Sequence, residues 1–219
     1  AYICLIPSII GLIFLTYVPL AAVLGLSFTK WEGVGTPEWV GLSNYIKLFT
    51  TDPYFVDSIK VTIYFSFIAV IGSLIYSLAI ALLLNRKIPA RGFFRAVFYL
   101  PYVLPAMAVY IGWSWLYEAN FGLFNYLLSL MGIHKLKFIA SSELVVPSLA
   151  LIAVWLSGNL IVIFLAGLQN VPRVYHEAAE IDGANTWQKF RNVTLPCMTP
   201  IIFYNLLMAL IPTMQVLTP

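Results

Sequence analysis

Residues 172–200 hold the side chains of this sequence that are best placed to recognise another molecule. The stretch contains three acidic and three basic residues, and it lies between two long apolar segments. Its residues form neither a Ser/His/Asp arrangement nor a set with metal-ligand spacing. A compact polar element with a turn, placed between two apolar segments, predicts a docking site for another protein.

The first part of this stretch predicts a short helix. Asn170 can cap its start and Pro172 suits its first turn, so that residues 172–181 form about three turns. Apolar side chains recur along it at helical spacing as a narrow stripe: Val174, Ala178 and Ile181. Gly183 ends the helix, because a left-handed turn is cheap only for a residue without a Cβ atom.

A second short helix is predicted after this turn. Asn185 or Thr186 can cap it. Its apolar side is formed by three positions: Trp187, Phe190 and Val193 or Thr194. Leu195-Pro196 is then expected to break away into the next apolar segment. Residues 170–198 therefore predict a helix–turn–helix loop.

Several kinds of site are missing from the sequence. It contains no GxxxxGK[ST] motif, so ATP and its magnesium ion would have to be held by another protein. His134 and His176 stand alone, and Cys4 and Cys197 form no CxxC motif. The net charge of +3 is too small to suggest a nucleic-acid partner. We expect no catalytic residue, no metal site and no bound cofactor, and thus a chain that is not itself an enzyme.

The composition is that of a protein that crosses a membrane several times. Of the 219 residues, 61% are hydrophobic and 10% are charged, whereas a soluble domain has about 25% charged residues. Five segments without any acidic or basic residue exceed the roughly 20 residues that a membrane-spanning helix needs. These segments are 1–29, 61–85, 96–117, 144–172 and 192–219. The fold class predicted is all-α, a polytopic bundle of transmembrane helices.

Basic residues indicate how this bundle is oriented. The loop 86–95 has four basic residues and no acidic one, which places it on the cytoplasmic side by the positive-inside rule. Alternation of the five spans then puts the N-terminus and the 172–196 loop on the cytoplasmic side as well. The odd number of spans suggests five present of a six-span core, in a single transmembrane domain over residues 1–219. Pro101, Pro105 and Pro212 favour kinks within the spans.

Polar and aromatic residues inside the spans could line a path for a polar molecule, because hydroxyl and amide groups form hydrogen bonds and aromatic faces stack. Seven residues are candidates: Trp155, Ser157, Asn159, Tyr204, Asn205, Thr213 and Gln215. Hydrogen bonding between helices is the alternative role for each of them.

The polar loop closely resembles the EAA loop of binding-protein-dependent ABC importer permeases. The resemblance rests on Glu177-Ala178-Ala179, on Ile181 with Asp182-Gly183-Ala184, and on Leu195-Pro196. Further matches occur along nearly the whole chain: Phe93-Phe94-Arg95 before Tyr99-Leu100-Pro101, Trp113-Ser114-Trp115-Leu116, Gly122-Leu123-Phe124-Asn125, Gly167-Leu168-Gln169 and Met214-Gln215-Val216-Leu217. The chain is most similar to the first of the two paired subunits in maltose- and glycerol-phosphate-type permeases. His176 departs from the Tyr common in the family, and the family's last helix is missing.

The resemblance implies a function and a set of partners. It implies a carbohydrate importer in a bacterial or archaeal plasma (inner) membrane. There, a second homologous permease subunit would complete the path, two ATP-binding subunits would drive it, and an extracytoplasmic substrate-binding protein would deliver the solute. Glu177 would contact the ATPase, Ala178 and Ala179 would allow close approach, and Gly183 would set the bend.

Two other functions stay open at this point. An ion-coupled secondary transporter usually places ionisable residues within the membrane, and the five apolar segments contain no acidic or basic residue. A membrane scaffold that does not transport could use the same loop only to bind a partner.

Overall fold

The computed structural model describes residues 2–86 and 88–215, with side chains from residue 5 onward. It consists almost entirely of helices, and the chain divides into two compact units, Ala1–Lys60 and Val61–Pro219. The all-α, polytopic fold class predicted from the sequence is confirmed. The side chains of Cys4, Lys87, Val216 and Leu217 lie outside the described residues.

The first unit consists of apolar helices and a small region with short strands and one further helix. Its helical elements are α1 (Tyr2–Leu12), a π-helical segment (Ile13–Tyr17), α2 (Val18–Ser27) and α3 (Ser43–Thr50). Two short strands, β1 (Thr29–Lys30) and β2 (Glu38–Trp39), pair in antiparallel fashion, with Thr29 opposite Trp39. Asn44 donates to the carbonyl oxygens of Ser27 and Thr29 at 2.9 Å each, which ties α3 to the end of α2.

The second unit contains the helices that position the candidate sites. α4 (Phe55–Asn85) begins in the first unit and is followed by α5 (Arg91–Val103), α6 (Ala106–Leu116) and α7 (Leu123–Leu130). Then come α8 (Val145–Trp155), α9 (Gly158–Asn170), α10 (Arg173–Ile181), α11 (Thr186–Lys189), a π-helical segment (Phe190–Thr194) and α12 (Leu195–Met214). A buried apolar cluster joins α4, α9 and α12: Ala81, Leu84, Ile161, Phe164, Leu165, Leu168 and Met198.

Three described helices are long and apolar enough to cross a membrane: Leu5–Ser27, Phe55–Asn85 and Thr186–Met214. Two bent pairs bring the number to five if each pair counts as one span. α5 and α6 meet at 97°, and Pro105 is the N-cap residue of α6, so the kink predicted there is a full break. Pro101 and Pro212, in contrast, lie inside helices.

The second break separates α8 from α9 by 49° and was not expected from the sequence, which has no proline there. Ser157 lies at this break. Its hydroxyl donates to the carbonyl oxygen of Val154 at 2.6 Å and lies 2.9 Å from the hydroxyl oxygen of Ser77 on α4. Serine hydroxyls therefore bond groups at the break that a continuous helix would bond through its own backbone.

Two local expectations were wrong. Asn170 is the last residue of α9 and does not cap α10, whose N-cap is Pro172. Leu195-Pro196 does not break the chain, because α11, the π-helical segment and α12 form one helix over Thr186–Met214. The backbone N–H of Leu195 donates to the carbonyl oxygen of Phe190, an i to i+5 bond. This shift in register lets the helix continue into Pro196, which has no N–H to donate.

Candidate functional site

The loop between α9 and α12 contains two short helices joined by a turn. α10 ends at Ile181 with Asp182 as its C-cap residue, and Gly183 follows with a φ angle of +75° in the left-handed region that favours glycine. The backbone N–H of Ala184 donates to the carbonyl oxygen of Ala179 at 2.8 Å, and that of Gly183 donates to Glu180 at 3.0 Å. These bonds satisfy the last carbonyl groups of α10 and fix the direction in which the chain leaves it.

Asn185 starts α11 with a reciprocal cap. Its Oδ1 accepts from the backbone N–H of Gln188 at 2.9 Å, and Oε1 of Gln188 accepts from the backbone N–H of Asn185 at 2.8 Å. This arrangement is a capping box, which stabilises the N-terminal end of a helix. Of the two caps that the sequence allowed, the structure uses Asn185 rather than Thr186.

One ion pair joins the two helices of the loop. Nζ of Lys189 on α11 donates to Oε1 of Glu180 on α10 at 2.6 Å. This hydrogen bond, and then the charge of Lys189 and that of His176, lower the pKa of the Glu180 carboxyl. The carboxyl is 60% exposed, so the pair sets the geometry of the loop more than its stability.

The two helices enclose an open cleft of about 580 Å³. Five of the seven residues predicted to act in coupling line this cleft: Ala178, Ala179, Asp182, Gly183 and Ala184. Glu177 and Ile181 do not line it, and both are exposed on α10, with Ile181 at 88%. Within the described residues Glu177 forms no ion pair, which leaves its carboxylate available to another molecule.

The outer surface of the loop exposes apolar side chains next to charged ones. Val174 is 67% exposed, Tyr175 54% and Trp187 66%. Trp187 stacks on Phe190 with a distance of 5.6 Å between ring centroids, so that two aromatic rings share one face. Exposed apolar groups rimmed by charge are the usual composition of a surface that binds another protein.

A second cavity, of about 460 Å³, lies among the membrane-spanning helices of the second unit. Four of the seven predicted path residues line it: Ser157, Asn159, Thr213 and Gln215. Among the residues that the structure describes, no acidic or basic one lines this cavity. Its polar groups are therefore hydroxyls and amides, which bind an uncharged polar solute without the desolvation cost of a buried charge.

The three other path candidates lie elsewhere. Trp155 packs edge-on against Trp113 with 5.6 Å between centroids, and Tyr204 is 50% exposed on α12. Asn205 is fully buried, and its Nδ2 donates to the carbonyl oxygen of Leu160 at 3.3 Å. Among the described residues, its Oδ1 has no partner. Trp155 and Asn205 thus contact neighbouring helices, Tyr204 is exposed, and none of the three lines the cavity.

Three aromatic residues that line the cavity were not predicted from the sequence. Tyr102 on α5 and Tyr110 on α6 line it, together with Phe65 on α4. The break at Pro105 brings the ends of two helices to the same cavity, so residues on both sides of it contribute. The sequence signal that could have identified them is a tyrosine on either side of a proline within an apolar segment.

Comparison with known proteins gives a consistent result. The family model for a binding-protein-dependent transport system inner membrane component matches residues 73–216. The probable ABC transporter permease protein YesP of Bacillus subtilis is 40% identical over 215 residues, which cover 97% of this chain and 69% of YesP. The trehalose/maltose transport system permease protein MalF of Thermococcus litoralis is 31% identical over 179 residues. That match covers 81% of this chain and 60% of MalF.

Solved structures share the fold. A chain in the crystal structure of a bacterial ABC transporter involved in the import of the acidic polysaccharide alginate superposes with a TM-score of 0.83. It is 25% identical, and the match covers 98% of this chain and 73% of that one. A chain of the alginate transporter in complex with its pentasaccharide-bound periplasmic protein is 23% identical and has a TM-score of 0.79. The family match, over well more than half of the sequence, shows that this chain belongs to the binding-protein-dependent transport system inner membrane components.

Proposed function

We propose that this chain is the permease subunit of an ATP-driven importer and forms half of the path for a sugar or a related polar solute. The observation that carries this proposal is the uncharged cavity of about 460 Å³ among the helices of the family-matched region. Tyrosine rings, hydroxyls and amides around it provide stacking faces and hydrogen-bond partners, which are the groups that bind a sugar.

The names of relatives support the same class of solute. One relative is named for trehalose and maltose transport. Another is the probable starch degradation products transport system permease protein AmyD of Thermoanaerobacterium thermosulfurigenes, at 29% identity over 205 residues. A cavity without charged side chains suits a neutral sugar better than an acidic one, unless a second subunit adds cations.

The loop from Pro172 to Pro196 is the proposed entry point for the energy of ATP hydrolysis. On the orientation indicated by the basic 86–95 segment, the loop faces the cytoplasm, as do the N-terminus and that segment itself. Exposed Glu177 and Ile181 and the small residues Ala178 and Ala179 would meet a cleft on an ATP-binding subunit. A second homologous permease subunit, two ATP-binding subunits and an extracytoplasmic binding protein would complete the assembly.

The observations disfavour the two alternatives to different degrees. An ion-coupled carrier usually places an acidic or basic residue where the ion crosses, and none of the described residues that line the cavity is acidic or basic. A scaffold would have no use for a cavity within the membrane, although it would use the exposed loop surface in the same way.

Copurification and uptake together test the proposal. We expect the solubilised subunit to retain an ATPase partner, and the Glu177→Lys variant to lose both that partner and uptake. Glu143→Lys is the matched control, because Glu143 is an exposed acidic residue outside the loop. If Glu177→Lys keeps both properties, the loop is not the coupling site. Uptake that stops when the proton gradient is collapsed at constant ATP would favour the ion-coupled carrier instead.

A further inference from the structure

Two arginines of α5 converge on a single neutral group. With its amide oxygen facing them, Gln169 near the end of α9 accepts from Nη2 of Arg91 and from Nη2 of Arg95, at 3.0 Å each. Arg91 is half-buried, whereas Arg95 and Gln169 are exposed. The three side chains therefore form a small polar patch at the ends of two packed helices, open to the surroundings on one side.

No negatively charged side chain among the described residues balances the two guanidinium groups of this patch. Among the described residues, neither arginine forms an ion pair with a carboxylate. Nε of Arg91 is buried and has no hydrogen-bond partner. A buried donor without a partner is rare in folded proteins, and two cations that share one amide oxygen repel each other. An anion bound between the two guanidinium groups would offset this repulsion.

The surroundings of the patch are those of a membrane surface. The basic segment 86–95 follows directly on the apolar helix α4, and α5 begins at Arg91 after Ala90, whose φ angle of +54° is unusual for a residue with a Cβ atom. Phe93 and Phe94, on the same turn, are 66% and 41% exposed. Aromatic side chains exposed beside arginines match the boundary where acyl chains meet phosphate groups.

We propose that Arg91 and Arg95 bind the phosphate group of an anionic phospholipid, with Phe94 against its acyl chains. Arginine forks bind phosphate oxygens in a bidentate manner, and basic pockets between transmembrane helices on the cytoplasmic side bind lipid headgroups. Gln169 holds the two guanidinium groups close together before the lipid binds. This lipid site is separate from the solute cavity, and lipid binding there does not depend on which solute the cavity takes.

Photolabelling of the assembled transporter tests this site. The complex is reconstituted in phosphatidylcholine nanodiscs with a minor fraction of photoactivatable phosphatidylglycerol, and labelled peptides are identified by mass spectrometry. We expect labelling of the start of α5 and the end of α9, reduced about fivefold by Arg91→Gln or by Arg95→Gln and further by both together. Arg86→Gln is the matched control, since Arg86 lies in the same basic segment and has no bond to Gln169.

Each other outcome decides against the lipid. Equal labelling of the wild-type protein, the double variant and the control would overturn the site. If millimolar inorganic phosphate removes the labelling as effectively as unlabelled phosphatidylglycerol, the arginine pair binds a free anion instead. Labelling that appears only after the ATP-binding subunits are removed would show that a carboxylate of that partner occupies the arginine pair.

The double variant Arg91→Lys with Arg95→Lys keeps both charges. We expect it to retain more labelling than the double glutamine variant, a difference that a folding defect alone would not produce.

Discussion

Nζ of Lys189 lies 2.6 Å from Oε1 of Glu180, and this contact joins α10 to α11 across the turn at Gly183. The bond and the charge of Lys189 are the main causes of the lowered pKa of Glu180. In Lys189→Gln we expect this pKa to rise toward its ordinary value of 4.5, as measured by NMR titration of carbon-13-labelled glutamate. His176→Gln removes a weaker contribution and should raise the pKa less.

The sign of the effect on loop stability follows from the direction of this shift. A carboxyl whose pKa is lower in the folded than in the unfolded state stabilises the fold above its unfolded pKa. That contribution is lost as the pH falls through the folded pKa. The loop should therefore loosen in acidic solution, below pH 4.5. The protection factor of the Ala184 amide, which corrects its exchange rate for the intrinsic effect of pH, should fall there in the wild type more than in Lys189→Gln. An equal fall in both proteins would contradict a role for the pair.

Gly183 offers a test of whether the bend of the loop matters for coupling. Its φ angle of +75° cannot be adopted by proline, which is restricted to about −65°. We expect Gly183→Pro to abolish uptake while the subunit stays in the membrane, since no other atom lies within 4 Å of the Cβ position. Gly183→Asn is the control, because asparagine tolerates this conformation and should preserve most of the uptake. Normal uptake by the proline variant would separate the bend from coupling.

Two glycines of α9 are predicted to differ in their tolerance of a methyl group. A Cβ on Gly158 would lie 2.8 Å from the backbone oxygen of Phe98 on α5, which cannot move without shifting the helix. A Cβ on Gly167 would meet the Cδ1 of Ile201, the flexible end of a side chain. We expect Gly158→Ala to destabilise the solubilised subunit by about 1–3 kcal/mol and Gly167→Ala by less, as measured by thermal unfolding. The reverse order would argue against the close packing of α5 on α9.

Two of the path candidates form a matched pair for transport. Asn159 lines the cavity, whereas Tyr204 is exposed on α12 and does not. We expect Asn159→Leu to weaken uptake about tenfold, mainly through a higher KM, because the loss of one hydrogen bond to an uncharged partner costs about 1 kcal/mol and a clash adds to it. Tyr204→Phe should leave uptake unchanged. A larger effect at Tyr204 would place the path outside this cavity.

The apolar segments and their helical state could be predicted because span length and backbone satisfaction within a membrane leave few alternatives. Pro105 could be named as a position that favours a kink, because proline removes a helical hydrogen bond. The sequence did not distinguish Pro105, where the helix breaks, from Pro101 and Pro212, which lie inside helices. The break at Ser157 could not be predicted, because serine and glycine have no single preferred backbone conformation. It depends on Ser77, which is 80 positions away in the sequence.

Side-chain placement inside the spans was the part that sequence reasoning resolved least. Asn205 and Asn159 look alike as isolated amides in apolar segments. Only the packing of α9 against α12 buries the first against Leu160 and leaves the second on the cavity. For the loop, the left-handed turn at Gly183 was predictable from the residue type, whereas the register shift before Pro196 depends on the π-helical segment.

The continuous helix Thr186–Met214 has a mechanical consequence. Its 29 residues extend about 40 Å, from the capping box beside the loop cleft to Thr213 in the wall of the cavity. Over that length a tilt of about 5° displaces the far end by roughly 3 Å, comparable to the width of a water molecule. Tilting of the helix as one body would need no relay of side chains to open or close a constriction at a distance. A partner that rocks the loop would move the cavity wall in the same stroke.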